Sequence, residues 1–167
     1  MIDAFAHLQR VELAHRDAKP SNILIFCEDP LYFKVCDVGA GTAVGLCDQT
    51  KEGTVIGTPF YLSPELLQAH MKHQHLTNYN PFKSDVYSLG LVILEFCCLR
   101  RPERGFEKES EEIAAMIREI KERYNNIVGL GKVLRKMLEE NVKNRMDFLE
   151  LDSFITENDL LRNVLIP

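Results

Sequence analysis

The sequence lacks an excess of positive charge. Its 20 lysine and arginine residues stand against 25 aspartate and glutamate residues, which gives a net charge of −5. A protein that binds nucleic acid through the phosphate backbone needs a basic surface, so this balance argues against that class. Residues 100–145 carry a local excess of basic side chains, but the two signs alternate at helical spacing, which is typical of a solvated helix face.

The sequence also lacks paired cysteines, a signal peptide and long apolar runs. Its five cysteines are spaced neither as a disulfide framework nor as a CxxC metal site, so free thiols in an intracellular protein are the simplest interpretation. The N-terminus has no basic-then-apolar pattern of a secretory signal. The longest apolar run, residues 89–94, is too short to span a bilayer. We expect a cytoplasmic protein, with a nuclear location also open, and no membrane or nucleic-acid partner.

The rest of the composition fits a folded protein. Hydrophobic residues make up 46% of the 167 residues, which is enough for a packed core in one domain or in one large part of a domain. Two apolar runs, at residues 23–26 and 31–36, flank Asp29-Pro30 and predict a β-hairpin. Residues 39–64 show neither a helical nor a strand period and are interpreted as one long loop.

Helical periodicity dominates the remainder of the chain. The first dozen residues predict a helix, and Pro64 opens a short helix at a first-turn position. Ser84 or Asp85 is predicted to open a helix over residues 86–99 that is apolar almost all round and therefore buried. Further helices are predicted over residues 110–124, 126–140 and 147–154. The pattern predicts a mainly α fold with one small β-hairpin.

Four short motifs carry the chemistry. They are HRDAKPSN at residues 15–22, DVG at 37–39, GTPFYLSPE at 57–65 and DVYSLG at 85–90. In this order, and each in its expected local structure, they closely resemble the second half of the eukaryotic protein kinase domain, in which HRDxKxxN is the catalytic loop. DVG and SPE stand where the family has DFG and APE. The resemblance covers essentially the whole chain.

The resemblance implies the helical C-terminal lobe of the protein-kinase-like α+β fold. Residues 1–36 would form a helix, the catalytic loop and the hairpin, residues 37–65 the activation segment, and residues 66–167 a helical subdomain. The N-terminal β-lobe of the family, with its glycine-rich loop and VAIK lysine, is absent from these residues. We therefore expect Met1 to fall inside the fold.

The resemblance assigns roles to the catalytic loop and the hairpin. Asp17 would orient the hydroxyl of a protein substrate and accept its proton, and Lys19 would place a positive charge at the transferring phosphate of ATP. Asn22 and Asp37 would supply oxygen ligands to Mg²⁺, as suits a hard cation. Leu24, in the first hairpin strand, would form the floor under the adenine ring.

Two features imply the serine/threonine class of this family. Lys19-Pro20 is the form usual in serine/threonine kinases, whereas tyrosine kinases generally replace this lysine pattern. Thr58 agrees, because a threonine at this position contacts the catalytic aspartate and lysine in the serine/threonine class. The resemblance thus implies transfer of the γ-phosphoryl group of ATP to a protein hydroxyl.

Thr54 is the preferred candidate for an activating phosphorylation site. Arg16 lies beside the catalytic aspartate in sequence and could pair with a phosphate on Thr54. Thr42 and Thr50 are weaker candidates in the same loop. The alternative, that Thr54 is an ordinary loop residue, stays open.

Other positions are expected to be structural. Glu65 and Arg145 should form a buried ion pair that ties the activation segment to the helical base, and Asp85 should accept hydrogen bonds from the backbone of the catalytic loop. Val38 replaces the phenylalanine of DFG and removes an aromatic ring near His15, which loosens the packing without removing a magnesium ligand.

Two further patterns have a functional and an ordinary interpretation. His70, His73 and His75 form an HxxHxH pattern that could bind zinc, but no other cysteine or histidine lies nearby in sequence, so a solvated polar segment is favoured. Cys36, directly before Asp37, could be a reactive thiol, but an ordinary buried thiol is favoured.

Two hypotheses about the whole chain remain. In the first, it is the C-terminal portion of a serine/threonine kinase whose N-terminal lobe lies upstream or in a partner chain. In the second, it is a non-catalytic binding or regulatory module derived from a kinase. The complete set of Asp17, Lys19, Asn22 and Asp37 favours the first. Without an upper wall for the ATP site, we expect negligible activity from these residues alone.

Overall fold

The computed structural model describes residues 1–29, 31–44, 50–105 and 109–161. These residues contain six α-helices and six short β-strands, which confirms a mainly α fold. In chain order they are α1 (Ile2–Arg10), β1 (Leu13–Ala14), β2 (Ile23–Glu28), β3 (Leu31–Val35), β4 (Thr42–Ala43), β5 (Lys51–Thr54), α2 (Pro64–Met71), β6 (Leu76–Tyr79), α3 (Pro81–Cys98), α4 (Glu109–Arg123), α5 (Leu130–Met137) and α6 (Phe148–Glu157). Within the described ranges, no helix is both long and apolar enough to cross a membrane.

Helix α3 forms the centre of the core, as its apolar sequence predicts. Its first turn lies earlier in the chain than the predicted start at Ser84 or Asp85. The Asn80 side chain accepts the backbone N–H of Lys83 at 3.0 Å, and Pro81 occupies the first helical position. Most side chains of α3 between these residues and Leu94 are buried, so the helix presents no solvated face along this stretch.

The other helices pack around α3 at close range. Helices α4, α5 and α6 contact α3, and α1 packs on α6. The rings of Phe5 in α1 and Phe148 in α6 stack with centroids 5.1 Å apart, and Gln9 accepts the backbone N–H of Phe148 at 2.9 Å. A Cβ at Gly90 would lie 2.9 Å from a methyl carbon of Leu138, so glycine permits the close approach of α3 and α5.

Two of the C-terminal helices differ in length from their predictions. The helix predicted over residues 126–140 spans only α5, because Gly129 adopts a left-handed conformation (φ 80°) directly before it. Helix α6 begins after Asp147 and continues past the predicted end at residue 154. The Asp147 carboxylate and the Glu150 side chain form a reciprocal capping box at its start.

The strands form three two-stranded antiparallel sheets within the described residues. The predicted hairpin is confirmed as β2 and β3, with Ile23 opposite Val35. The other two sheets pair β1 with β4 and β5 with β6. The prediction of one continuous loop over residues 39–64 is therefore wrong at β4 and β5. These strands are two and four residues long and pair with distant segments, so no alternating apolar pattern marks them.

Candidate active site

One buried carboxylate holds the first residues of the catalytic loop, residues 15–22. Asp85 in α3 is 2% exposed and accepts the backbone N–H groups of His15 at 2.7 Å and of Arg16 at 2.8 Å. This confirms the role predicted for Asp85. Burial raises its pKa to about 7, although the two hydrogen bonds act in the opposite direction.

The fully buried His15 joins the catalytic loop to the end of the hairpin. Its Nε2 lies 3.0 Å from the carbonyl oxygen of Cys36, and its Nδ1 accepts the backbone N–H of Asp17 at 3.3 Å. The ring packs against Phe5 with centroids 5.6 Å apart. The aromatic neighbour of His15 is thus supplied by α1, while Val38 is half-exposed.

Asp17, Lys19 and Thr58 meet in one cluster. The Lys19 ammonium lies 2.6 Å from Oδ2 of Asp17 and donates to the Thr58 hydroxyl at 3.2 Å. Thr58 in turn donates its hydroxyl and its backbone N–H to Oδ1 of Asp17, at 2.8 and 3.0 Å. Burial acts to raise the pKa of Asp17, but the bonds from Lys19 and Thr58 outweigh it and hold the pKa below its usual range. Asp17 is therefore ionised at neutral pH.

The hairpin joins Asn22 to Cys36, the residue directly before Asp37. The side-chain amide of Asn22 donates to the backbone carbonyl of Asp17 at 2.9 Å. The backbone carbonyl of Asn22 accepts the backbone N–H of Cys36, also at 2.9 Å. The antiparallel pairing thus places Asn22 beside the residue that precedes Asp37, and the predicted closeness of Asn22 and Asp37 stays a prediction. Asp37 is exposed, with a left-handed backbone (φ 61°), and one carboxylate oxygen accepts the N–H of Gly39 at 3.3 Å.

These two side chains fit the chemistry of magnesium. Asp37 offers an exposed carboxylate. The Asn22 side chain donates through its nitrogen, and among the described residues no hydrogen bond is made to its amide oxygen. Oxygen donors of this kind suit Mg²⁺, which keeps several waters or phosphate oxygens and needs few protein ligands.

Leu24 lies on an exposed apolar face of the hairpin. Its side chain is 51% exposed, in register with Lys34 of β3. Phe26, whose ring lies against the Lys34 ammonium, and Tyr32 are exposed on the same face. Ile25 is also exposed but lies on the opposite face, because neighbouring side chains of a strand alternate. The face of Leu24 has the character of a surface that another body covers. The predicted contact of Leu24 with adenine stays a prediction.

The predicted ion pair of the activation segment is confirmed. The guanidinium of Arg145 binds both carboxylate oxygens of Glu65, at 3.0 and 3.1 Å. The Arg145 side chain is fully buried and also donates to the carbonyl oxygens of Lys83, Glu139 and Glu140. The start of α2 is thereby tied to the segment before α6.

A second set of contacts in the activation segment was not predicted. The Tyr61 hydroxyl donates to Glu95 at 2.6 Å, and Arg101 binds the other oxygen of Glu95 at 2.8 Å. The Arg101 guanidinium also lies 5.1 Å from the centre of the Phe60 ring. The one available signal in the sequence was a single acidic residue, Glu95, at the end of an apolar helical run.

The predicted partners Arg16 and Thr54 are in contact. Arg16 donates through one nitrogen to the Thr54 hydroxyl at 2.5 Å and to the Thr54 carbonyl at 3.1 Å. Thr54 is exposed at the end of β5, and Arg16 has a left-handed backbone (φ 68°). The Nε of Arg16 is buried and has no hydrogen-bond partner among the described residues. The Arg16 guanidinium therefore has an unused donor.

The histidine and cysteine patterns do not form a further site in the described residues. His70, His73 and His75 are exposed at and after the end of α2. Cys36 is half-buried, and burial raises the pKa of the Cys97 and Cys98 thiols in α3. Four cysteines are free thiols, and Cys47 lies outside the described residues, as do the last six residues of the predicted helical subdomain.

Comparison with known proteins decides the family. The family model described as "Protein kinase domain" matches residues 1–153. The chain belongs to the protein kinase family. The kinase chain is 32% identical to serine/threonine-protein kinase Nek2 of Homo sapiens over 154 residues and 32% identical to nekl-2 of Caenorhabditis elegans over 146 residues. These matches cover 90% and 86% of the chain.

A bacterial relative matches a shorter part of the kinase chain. Serine/threonine-protein kinase PrkC of Bacillus subtilis is 35% identical over 105 residues, or 63% of the chain. The aligned parts amount to 31% of Nek2, 36% of nekl-2 and 15% of PrkC. The kinase chain therefore spans about a third or less of the length of these curated relatives.

Proposed function

We propose that the kinase chain carries the catalytic-loop side of the active site of a protein serine/threonine kinase, which transfers the γ-phosphoryl group of ATP to a protein hydroxyl. The observation that carries the proposal is the cluster in which Lys19 and Thr58 both bind the Asp17 carboxylate. It supplies an ionised base, a cation and an orienting hydroxyl within 3.2 Å of one another.

Asp17 would hold the substrate hydroxyl and accept its proton. Its lowered pKa keeps it ionised, so it can receive a hydrogen bond from an incoming serine or threonine at neutral pH. Thr58 occupies one oxygen with two bonds, which fixes the carboxylate plane. The 2.6 Å contact with Lys19 brings a positive charge to the position where negative charge develops during transfer.

Asn22 and Asp37 would hold magnesium, and Leu24 would lie under the adenine ring of ATP. A bound Mg²⁺ neutralises charge on the phosphates. The amide nitrogen of Asn22 remains committed to the Asp17 backbone, so the amide oxygen is directed by a bond that the catalytic loop already makes. The hydrogen bond thus connects Asn22, which would bind magnesium, to Asp17, which would act as the base.

Phosphorylation of Thr54 would act through Arg16. The hydroxyl oxygen that would carry the phosphate already accepts a bond from the Arg16 guanidinium, and the buried Nε lacks a partner among the described residues. A phosphate provides several strong acceptors and a double negative charge, so it would strengthen this contact. The activation segment would then be tied directly to the residue beside Asp17.

The exposed apolar face of the hairpin supports a complementing body above the site. Residues 1–167 contain no glycine-rich loop, so the phosphates of ATP would lack their cover in these residues alone. An N-lobe in the same protein, or a partner chain, would bury Leu24 and its apolar neighbours. The same face also suits the alternative, a non-catalytic kinase-derived module that binds a partner there.

Phosphoryl transfer by the protein purified from its own cells tests the proposal. Labelled ATP should give phosphoserine or phosphothreonine on a protein substrate, and the product should depend on Mg²⁺. Asp37→Asn should abolish the transfer, while Asp152→Asn, which affects an exposed pair with Arg10, should leave it unchanged. Absence of magnesium-dependent transfer by the wild-type protein would refute catalysis and favour the binding module.

A further inference from the structure

Arg104 makes a concentrated set of contacts that no motif of the sequence announces. It follows α3, and its side chain is 5% exposed. One terminal nitrogen donates to the carbonyl of Phe60 at 2.5 Å and the other to the carbonyl of Leu62 at 2.6 Å. Its Nε donates to Glu109, the first residue of α4, at 2.5 Å. All three nitrogens of the guanidinium are therefore engaged.

The carbonyl of Tyr61, which lies between those of Phe60 and Leu62, also accepts a hydrogen bond from a side chain. Ser88 in α3 donates its hydroxyl to the carbonyl of Tyr61 at 2.6 Å. Three consecutive carbonyls of the activation segment, at residues 60–62, thus accept hydrogen bonds from side chains of the helical subdomain. Carbonyls in a short 3-10 turn have few backbone partners, so these side chains determine where the segment runs.

Arg104 and the ion pair of Arg145 share one aromatic ring. The guanidinium carbon of Arg104 lies 5.5 Å from the centre of the Tyr87 ring, and that of Arg145 lies 4.8 Å from it. Arg145 holds Glu65, while Arg104 holds the carbonyls of residues 60 and 62. Tyr87 therefore contacts both cations that fix the second half of the activation segment.

We propose that Arg104 is a positioning residue for the protein substrate. The proposal rests on the function proposed above. Thr58 binds Asp17, so the segment that directly follows it, residues 59–62, runs beside the place where the acceptor hydroxyl must lie. A substrate chain whose hydroxyl reaches Asp17 must pass along this segment. Arg104 fixes its path through a planar fork that spans two carbonyls, a geometry that lysine does not reproduce.

Hydrogen exchange in the 167-residue chain tests the structural step without any need for activity. Arg104→Lys keeps a charge near Glu109 but loses the fork, so the amides of residues 60–63 should exchange about tenfold faster while α6 is unchanged. Arg100→Ala removes an exposed arginine that pairs with Glu112 and Glu119. It should change the exchange rate neither at residues 60–63 nor in α6. Unchanged exchange at residues 60–63 in Arg104→Lys would overturn the proposal.

Kinetics with the protein from its own cells test the substrate step. Arg104→Lys should raise the KM for the protein substrate about tenfold and leave the KM for ATP within about twofold. Equal losses for both substrates, or a fall in kcat alone, would mean that Arg104 only supports the fold and would contradict the proposal. A wild-type protein without transfer would instead refute the proposed function, while the exchange result would still decide whether Arg104 fixes the segment.

Discussion

Thr58 donates its hydroxyl to Oδ1 of Asp17 over 2.8 Å, although the two residues lie 41 positions apart in the chain. The contact joins the activation segment to the catalytic loop at the residue that would serve as base. Lys19 binds both partners, so the three side chains depend on one another for their positions. The account of function depends on this relationship.

Loss of the Thr58 hydroxyl should disturb the base. Thr58→Val removes the hydroxyl bonds to Asp17 and Lys19 at nearly constant volume and keeps the backbone N–H bond to Asp17. We expect kcat to fall about 10- to 100-fold, because the carboxylate is held less firmly in its orientation. Thr58→Ser keeps the hydroxyl and should retain most of the activity. Thr156→Val, at an exposed position in α6, is the matched control and should leave kcat unchanged. Steady-state kinetics of the three variants check the prediction, and equal rates for Thr58→Val and wild type would contradict it.

Removal of the buried arginine should destabilise the fold. Arg145→Met leaves Glu65 and three backbone carbonyls without their donor, so we expect a loss of about 3–5 kcal/mol in the free energy of unfolding. Arg10→Ala breaks an exposed pair and should cost less than about 1 kcal/mol. Urea denaturation of both variants measures the difference. Similar losses for the two would show that burial of the Arg145 pair has no energetic consequence.

The protonation of Asp85 should make the stability depend on pH. Burial raises its pKa to about 7 in the folded chain, against about 3.9 when unfolded. Between these values the folded state binds more protons, so stability should fall as the pH rises from about 4 to 7 relative to Asp85→Asn. The constant cost of the substitution does not affect this slope. Unfolding curves measured from pH 4 to pH 7 check this prediction. A free energy of unfolding that rises with pH relative to Asp85→Asn would contradict it.

Phosphorylation of Thr54 should stabilise the activation segment through Arg16. New charge-assisted bonds to the guanidinium should raise the melting temperature by about 3–6 °C relative to the unphosphorylated protein. Arg16→Gln should abolish the increase, because it removes the cation. Mass spectrometry locates the phosphate and calorimetry measures the shift. A phosphate on Thr54 that raises the melting temperature equally in Arg16→Gln would exclude this mechanism.

Much of the site could be predicted because its motifs resemble those of the protein kinase family. The resemblance implied that Thr58 contacts Asp17 and Lys19, and the structure shows both contacts. The hairpin predicted that Asn22 and Asp37 lie close together, and the structure pairs Asn22 with Cys36, directly before Asp37. The pairing of Glu65 with Arg145 followed from the resemblance, and the structure confirms it. The magnesium, adenine and phosphate-acceptor roles of these residues stay predictions.

The missed features depend on tertiary contacts without a local pattern. Strands β4 and β5 contain few apolar residues and are stabilised by partners far along the chain. Helix α3 starts earlier than its apolar run predicts, because the Asn80 side chain caps the helix and Pro81 opens it. Arg104 lies between two helices with no motif around it, and only the fold brings its guanidinium to the carbonyls of Phe60 and Leu62.

The rate of phosphoryl transfer in Asp17→Asn tests the central claim most directly. The substitution keeps the size of the side chain and removes its charge and its ability to accept a proton. For the protein purified from its own cells, with Mg²⁺ and ATP saturating, the account predicts that transfer to a serine or threonine substrate falls about 100-fold or more. Transfer at the wild-type rate in Asp17→Asn would contradict it.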